Sequence, residues 1–230
     1  MTKRTGRVTC ELSISADGYS AGLNQTEQRP FGDDGGDGWG GKLHAWMSDT
    51  AGENRDEAGQ MTAARAFIIG RNMFGPVRGE WDRQWNGWRG DDPPFHAPVF
   101  VVTHRPRPVL QRLGGTSFTY VTAGVASAID QARAVAGGKN VAIAGGGTLL
   151  REVIKLGLVD ELELHIAPVS LGDGMRLLDA DLNLDSKEGI ELTPLRVISS
   201  EDVTHLRYKV NGRATLVLDY RAGVGEPAAV

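Results

Sequence analysis

Val141-Ala142-Ile143-Ala144-Gly145-Gly146-Gly147-Thr148-Leu149-Leu150 runs from an apolar segment into helix-forming residues across three glycines. Val141 to Ala144 has the length and β-branched content of a buried strand. Thr148 to Leu156 is spaced as a helix and stops at Gly157, a residue that ends helices well. A strand that passes straight into a helix is one step of a βα unit, so a parallel sheet is expected. The helix start offers free N–H groups and a partial positive charge, and glycines let a phosphate approach the main chain. The same triplet also suits a tight strand-to-helix turn, and the pattern alone leaves both readings open.

Working outward, Val8 to Ile14 alternates apolar and polar residues as a strand does, and Ala16-Asp17-Gly18 ends it. Asp17 is read as a turn-shaping residue before Gly18. A long Gly-, Asp- and Asn-rich stretch follows to about Gly41, read as a functional loop or a surface insertion. Leu43 to Met47 and Glu53 to Ala64 read as helix. Ala66 to Ile69, Val99 to Thr103 and Phe118 to Val121 read as strands, Arg71 to Phe74 as one helical turn, and Val125 to Ala136 as a helix. Beyond Glu161 the pattern turns β-rich: Leu162 to Ile166, Leu192 to Ile198, Val203 to Val210 and Ala214 to Tyr220. Asn211-Gly212 predicts a two-residue hairpin between the last two.

Ligands of such sheets bind beyond the C-terminal strand ends. Those ends carry Gly70-Arg71-Asn72, Thr103-His104-Arg105 and the glycine triplet. Arg71 and Arg105, with Thr103 and His104, could bind a phosphate monoester, since guanidinium forks match phosphate geometry; solvated arginines are the plainer reading. Two familiar phosphate motifs fail: a GxGxxG begun at Gly145 needs glycine where Leu150 stands, and a P-loop ending at Gly138-Lys139 needs Ser or Thr where Asn140 stands.

Composition narrows the classes. The net charge of −4 argues against nucleic acid and for a small-molecule partner. One cysteine, Cys10, makes no intrachain disulfide, and five scattered histidines show no metal-ligand spacing, so no metal is expected. Met1 to Arg7 lacks an apolar core and no apolar run approaches about 18 residues, so neither a signal peptide nor a membrane span is expected; the cytoplasm is the default location. No linker divides the chain. One domain over residues 1–230 is expected, with a core from 7 to 221 and a loose tail from 222 to 230.

Ser15-Ala16-Asp17-Gly18-Tyr19, Gly70-Arg71-Asn72-Met73-Phe74, Val101-Val102-Thr103-His104, Ala144 to Leu149 and Gly157 to Leu162, in that order, resemble the dihydrofolate reductase-like superfamily. The branch most resembled holds the riboflavin biosynthesis reductase, the C-terminal domain of a bifunctional deaminase-reductase. The resemblance implies an α/β three-layer fold, mostly parallel, with an antiparallel C-terminal edge. It implies NADPH as hydride donor. Ala16, Tyr19 and Ala21 would border the nicotinamide; Gly70, Arg71, Asn72 and Met73 would hold phosphates. Val102, Thr103, His104 and Arg105 would surround the adenosine 2′-phosphate, and Ala144, Gly145, Gly146, Gly147, Thr148 and Leu149 the pyrophosphate and ribose. It also implies a cis peptide between Gly145 and Gly146.

The implied activity is reduction of a pteridine- or pyrimidine-like heterocycle, as in dihydrofolate reductase or a phosphoribosylaminouracil reductase. The alternative is a non-catalytic NADP(H)-binding or ligand-sequestering protein on the same fold. Asp49 is the candidate for the acid that contacts the heterocycle, or else a helix cap. Trp39, Trp46, Trp81 and Trp85 could form an aromatic wall for a flat ring, or could simply pack. A homodimer is a further expectation, with Val203 to Tyr208 as a candidate strand face, or an ordinary half-buried strand.

Overall fold

The structure is a computed structural model that describes residues 6–33, 39–48, 52–75, 81, 84–178 and 188–215. Asp49 and the tail from 216 lie outside the described residues. In chain order the strands are β1 Val8–Ser15, β2 Tyr19–Ala21, β3 Ala66–Gly70, β4 Pro98–Val102, β5 Leu110–Gln111, β6 Ser117–Val121, β7 Val141–Ile143, β8 Glu161–Ala167, β9 Met175–Arg176, β10 Glu188–Ser199 and β11 Thr204–Thr215. The helices are α1 Trp39–Ser48, α2 Arg55–Gln60, α3 Arg71–Phe74, α4 Gly124–Ala136 and α5 Gly147–Lys155.

Among the described residues, nine strands form one sheet in the order β10-β11-β8-β1-β7-β3-β4-β6-β5. The run from β8 to β6 is parallel, and β11 and β10 close it as the expected antiparallel edge. The short β5 adds a second antiparallel edge that the sequence did not signal. Residues 22–33 are not structureless: Gly22 N–H donates to Phe31 O at 2.8 Å and Asp33 N–H to Leu23 O at 2.7 Å.

One sheet face is mainly apolar. Val8, Cys10, Ala66, Ile68, Phe100, Val141, Ile143, Leu162 and Leu164 lie on it, covered by α4 and α5. Both helices repeat their buried residues at three- and four-residue intervals: Val125, Ala128, Ile129, Ala132 and Ala136 in α4; Leu149, Leu150, Val153 and Ile154 in α5. Each fully buried aliphatic side chain contributes about 1.5–3 kcal/mol. Gly137, at φ 61°, ends α4 in the left-handed conformation that glycine tolerates.

The opposite face is split. Its β7-β3-β4-β6 half is a second apolar cluster of Phe67, Ile69, Phe74, Val99, Val101 and Phe118. Its β1-β8-β11-β10 half is ionic, and α1 and α2 cover it. Register places Glu11 beside Glu163, Glu163 beside Arg207, and Arg207 beside Arg196. Arg207 Nε donates to Glu163 at 2.9 Å and Nη2 to Gln60 Oε1 at 2.8 Å, and Arg196 pairs with the buried Glu57 at 2.6 Å. Burial first, and then the charge of Glu163, push the Glu11 carboxyl up to about 7.

Above this row lies a histidine pair. His205 Nε2 lies 3.0 Å from Asn54 Oδ1 and so donates to it. Its Nδ1 is then bare and accepts from His165 Nδ1–H at 2.7 Å. His165 Nε2 is left buried without a hydrogen-bond partner. Both rings are neutral in this pattern, and burial pulls the His165 imidazole down to about 3. Trp46 stacks on His165 at 4.3 Å and donates to Ser13 Oγ at 3.2 Å.

Two expectations are corrected, the hairpin and the aromatic wall. Asn211-Gly212 is no hairpin: β11 runs through it, paired with β10 on both sides. The register shifts between Glu191 and Leu192, which face Gly212 and Val210, so the extra residue bulges. Gly212 takes φ 101° there, and Asn211 Nδ2 donates to Thr193. Residues 203–208 lie inside the sheet, with β11 between β10 and β8 and Val203 and His205 buried, so a second copy would have to meet them at their face and not at a strand edge. Among the described side chains, the tryptophans form no single wall, and that of Trp39 lies outside them. Trp46 sits in the ionic half, while Trp81 and Trp85 pack on the apolar half.

Candidate cofactor site

The tips of β7, β3 and β4 are adjacent and point the same way, so the sequence-predicted groups meet on one edge. Ala144 N–H donates to Ile68 O at 3.0 Å, and Gly70 N–H to Gly145 O at 3.4 Å. Gly145 and Gly146 take φ 107° and 83°, values that side chains resist. Those two dihedrals turn the chain into α5 with trans bonds; the expected cis peptide at Gly145-Gly146 is absent, as is any other among the described residues. A trans bond avoids the roughly 3–4 kcal/mol of a cis non-proline peptide. Gly146 caps α5, and its carbonyl accepts from Leu150 N–H at 3.0 Å.

The triplet lies between two methionines. A Cβ on Gly145 would meet Met73 Cε at 3.2 Å, and one on Gly147 would meet Ser20 Oγ at 3.0 Å and Met175 Sδ at 3.1 Å. Met73 is 40% exposed and rests on bare main chain. Thr148 is exposed beside Met175, whereas Leu149 turns into the core, against Gly70.

The β3 and β4 tips are tied down by indole N–H groups. Trp85 donates to Phe74 O at 2.7 Å, Trp88 to Asn72 O at 3.4 Å and Trp81 to Arg105 O at 3.2 Å. Phe74 and Asn72 end the four-residue α3, whose last carbonyls have no partner within the helix. The Arg71 guanidinium lies 3.4 Å from the Trp81 ring centre, and Arg107 lies 5.1 Å from it. Trp81, Gln84, Asn86, Arg107, Pro108, Val109 and Leu110 line a cleft of about 550 Å³ at this corner. Thr103 is buried and its hydroxyl accepts from Arg105 N–H at 3.1 Å; Val102 is half-buried, and His104 and Arg105 face solvent.

The β1 end forms the other wall. Ala16 is exposed, and its N–H donates to Val169 O at 2.8 Å. Tyr19 N–H donates to Ser15 Oγ at 2.9 Å, and its ring carries Arg176 at 4.9 Å. Ala21 is buried beside Gly174, at which a Cβ would come within 2.1 Å of Ala21 O. The two-residue β9 pairs with β2, and Ser20 Oγ donates to Met175 O at 3.2 Å. Sequence reasoning missed Ser20 and Met175. Their contacts come from a ladder too short to leave a periodic trace.

Comparison with known proteins bears on the fold and the family. The chain is similar to a candidate riboflavin biosynthesis protein of Shewanella sp. PV-4, with a TM-score of 0.59, 19% identity, and 89% of this chain and 99% of that one covered. It is similar to RibD of Acinetobacter baumannii, with a TM-score of 0.57, 17% identity, and 92% and 60% covered. A pyrimidine reductase-like protein of Corynebacterium diphtheriae gives a TM-score of 0.53, 16% identity, and 89% and 92% covered. At these identities the likeness is one of fold. In sequence, 75 residues are 36% identical to the uncharacterized protein YyaP of Bacillus subtilis (strain 168), covering 33% of this chain and 38% of that protein. The match thus spans well under half the length of that curated relative. The model of the RibD C-terminal domain matches residues 7–205, most of the 230, and the chain belongs to that family.

Proposed function

We propose that this chain, read as one domain, is a reductase that binds NADPH across the tips of β7, β3 and β4 and reduces a pteridine- or pyrimidine-like heterocycle. The observation that carries the reading is the bare main chain of the triplet, set at the start of α5 and beside Gly70. The residues fit such a group: Cβ-free backbone admits a pyrophosphate, and the α5 start favours its charge. Thr103, His104 and Arg105 would take the 2′-phosphate. Arg71, fixed on Trp81, would add positive potential from one side. Ala16 and Tyr19 would border the nicotinamide, and Ala21, buried, would back that wall. When bound, NADPH supplies a hydride; the protein supplies position and field.

α1 offers no carboxylate among its described residues, so the acid expected near the heterocycle stays assigned to Asp49 by proposal alone. The test is NADPH oxidation, followed by absorbance, against a panel of oxidised pterins and aminopyrimidines. Turnover that Asp49→Asn abolishes supports the assignment. Tight NADPH binding without turnover on any member would favour a sequestering protein on the same fold.

A further inference from the structure

The geometry points to Asp17 as a positioning residue that sets the nicotinamide wall of the proposed cofactor site, an inference that rests on the NADPH reading. Asp17 lies in the turn between β1 and β2 and accepts four hydrogen bonds. Ser15 Oγ donates to Oδ1 and Ser170 Oγ to Oδ2 at 2.7 Å; Leu171 N–H donates to Oδ1 at 3.1 Å and Gly172 N–H to Oδ2 at 2.7 Å. Three of these donors come from the segment after β8, more than 150 residues away in sequence. One carboxylate therefore clasps two chain segments together.

What it clasps matters more than the clasp. The segment after β8 runs into β9, which pairs Arg176 with Tyr19 and Met175 with Ala21. Leu177 N–H donates to Gly18 O at 3.2 Å, and Met175 reaches Gly147 and Thr148 of the α5 start. So the wall made of Ala16, Tyr19 and Ser20 is held to the triplet through β9, and the β9 approach is fixed at Asp17. The β3 and β4 tips share none of these bonds. They are tied by the tryptophans instead. The two ends of a dinucleotide would then be held by independent devices.

Only a carboxylate serves all four donors. The two hydroxyls can rotate, but the Leu171 and Gly172 amides face different oxygens and cannot. An asparagine would set an NH2 against one of those amides. Desolvation alone would raise the Asp17 carboxyl, but the four hydrogen bonds together outweigh it and hold the group well below the usual carboxylate range, so it stays ionised and offers no proton near neutrality.

The experiment measures NADPH and adenosine 2′,5′-bisphosphate affinities by calorimetry for wild type, Asp17→Asn and Ser170→Ala. Circular dichroism checks the fold. The bisphosphate carries the adenosine end without the nicotinamide. In Asp17→Asn, NADPH affinity is expected to fall about tenfold, one charge-assisted hydrogen bond's worth, with bisphosphate affinity unchanged. Ser170→Ala, which keeps the carboxylate, is expected to lose about threefold for NADPH alone. A folded Asp17→Asn that loses both ligands equally, or neither, overturns the inference. If Asp17→Asn does not fold, Ser170→Ala decides by the same split. Wild type that binds neither ligand overturns the NADPH reading and this inference with it; wild type that binds both confines any failure to Asp17.

Discussion

Gly145 and Gly59 ask opposite things of an added methyl group. Gly145 takes φ 107° under Met73, so Gly145→Ala strains the backbone by about 1–3 kcal/mol and crowds the proposed phosphate seat. Gly59 lies in α2 with nothing within 4 Å of an added Cβ, so Gly59→Ala stabilises by about 0.4–1 kcal/mol through the unfolded chain. Urea denaturation of both variants should move the midpoint in opposite directions; the same direction for both would contradict the turn geometry. The ionic half sets a pH dependence of two signs. His165 refuses protons in the fold, so below its ordinary 6.5 the unfolded chain binds one more proton, and stability falls with pH by up to about 1.4 kcal/mol per unit. His205, also lowered by burial, acts the same way. Glu11 is raised to about 7 from 4.5, so between those values the folded chain holds the extra proton, and stability rises as pH falls. The two trends offset each other near pH 5–6. Glu11→Gln removes the Glu11 part of the second trend and leaves that of Glu163, also raised by burial. Its stability is expected to fall more steeply than wild type's from pH 7 to pH 5, and parallel curves would count against a buried Glu11.

At the scale of elements, period and punctuation carried the parallel core. Strands of four or more apolar residues, the glycine triplet and Gly157 lie where the pattern placed them. The short β2 and β9 did not show, because each is created by a partner far away in sequence; β5, paired with the nearby β6, is only two residues long and leaves no period. Asn211-Gly212 misled for a related reason: the dipeptide supplies positive φ, and the ladder with β10 decides whether that becomes a turn or a bulge. The tryptophans were legible as aromatic but not as ties, since their N–H bonds end on carbonyls of α3 and the β4 tip. Trp85→Phe keeps the ring packing and removes the bond to Phe74 O. The expected cost is about 1 kcal/mol in thermal unfolding, with faster amide exchange in α3. Unchanged exchange would leave α3 held by packing alone.

For the molecule as a whole, the sequence showed that β1 has a polar face but not what covers it. Thr9, Glu11 and Ser13 make up that polar side; the fold buries Ser13 and sets Glu11 under the layer that includes Trp46, Asn54 and Glu57. Charges on β8, β11 and α2 make that burial tolerable, and no window within β1 contains them. The edge proposed as the site was legible because one rule of parallel sheets gathers every strand tip on one side. Arg71 and Arg105 do reach that edge, though Arg71 lies on an indole rather than beside Thr103. The central claim is that this edge is an electropositive seat for a phosphorylated dinucleotide. Its most direct test is parallel titration of NADPH and NADH, followed by cofactor fluorescence, into wild type, Arg71→Ala and Arg105→Ala. A clear preference for NADPH that one or both variants lose is the predicted result. Equal, weak binding of both cofactors to wild type would contradict it.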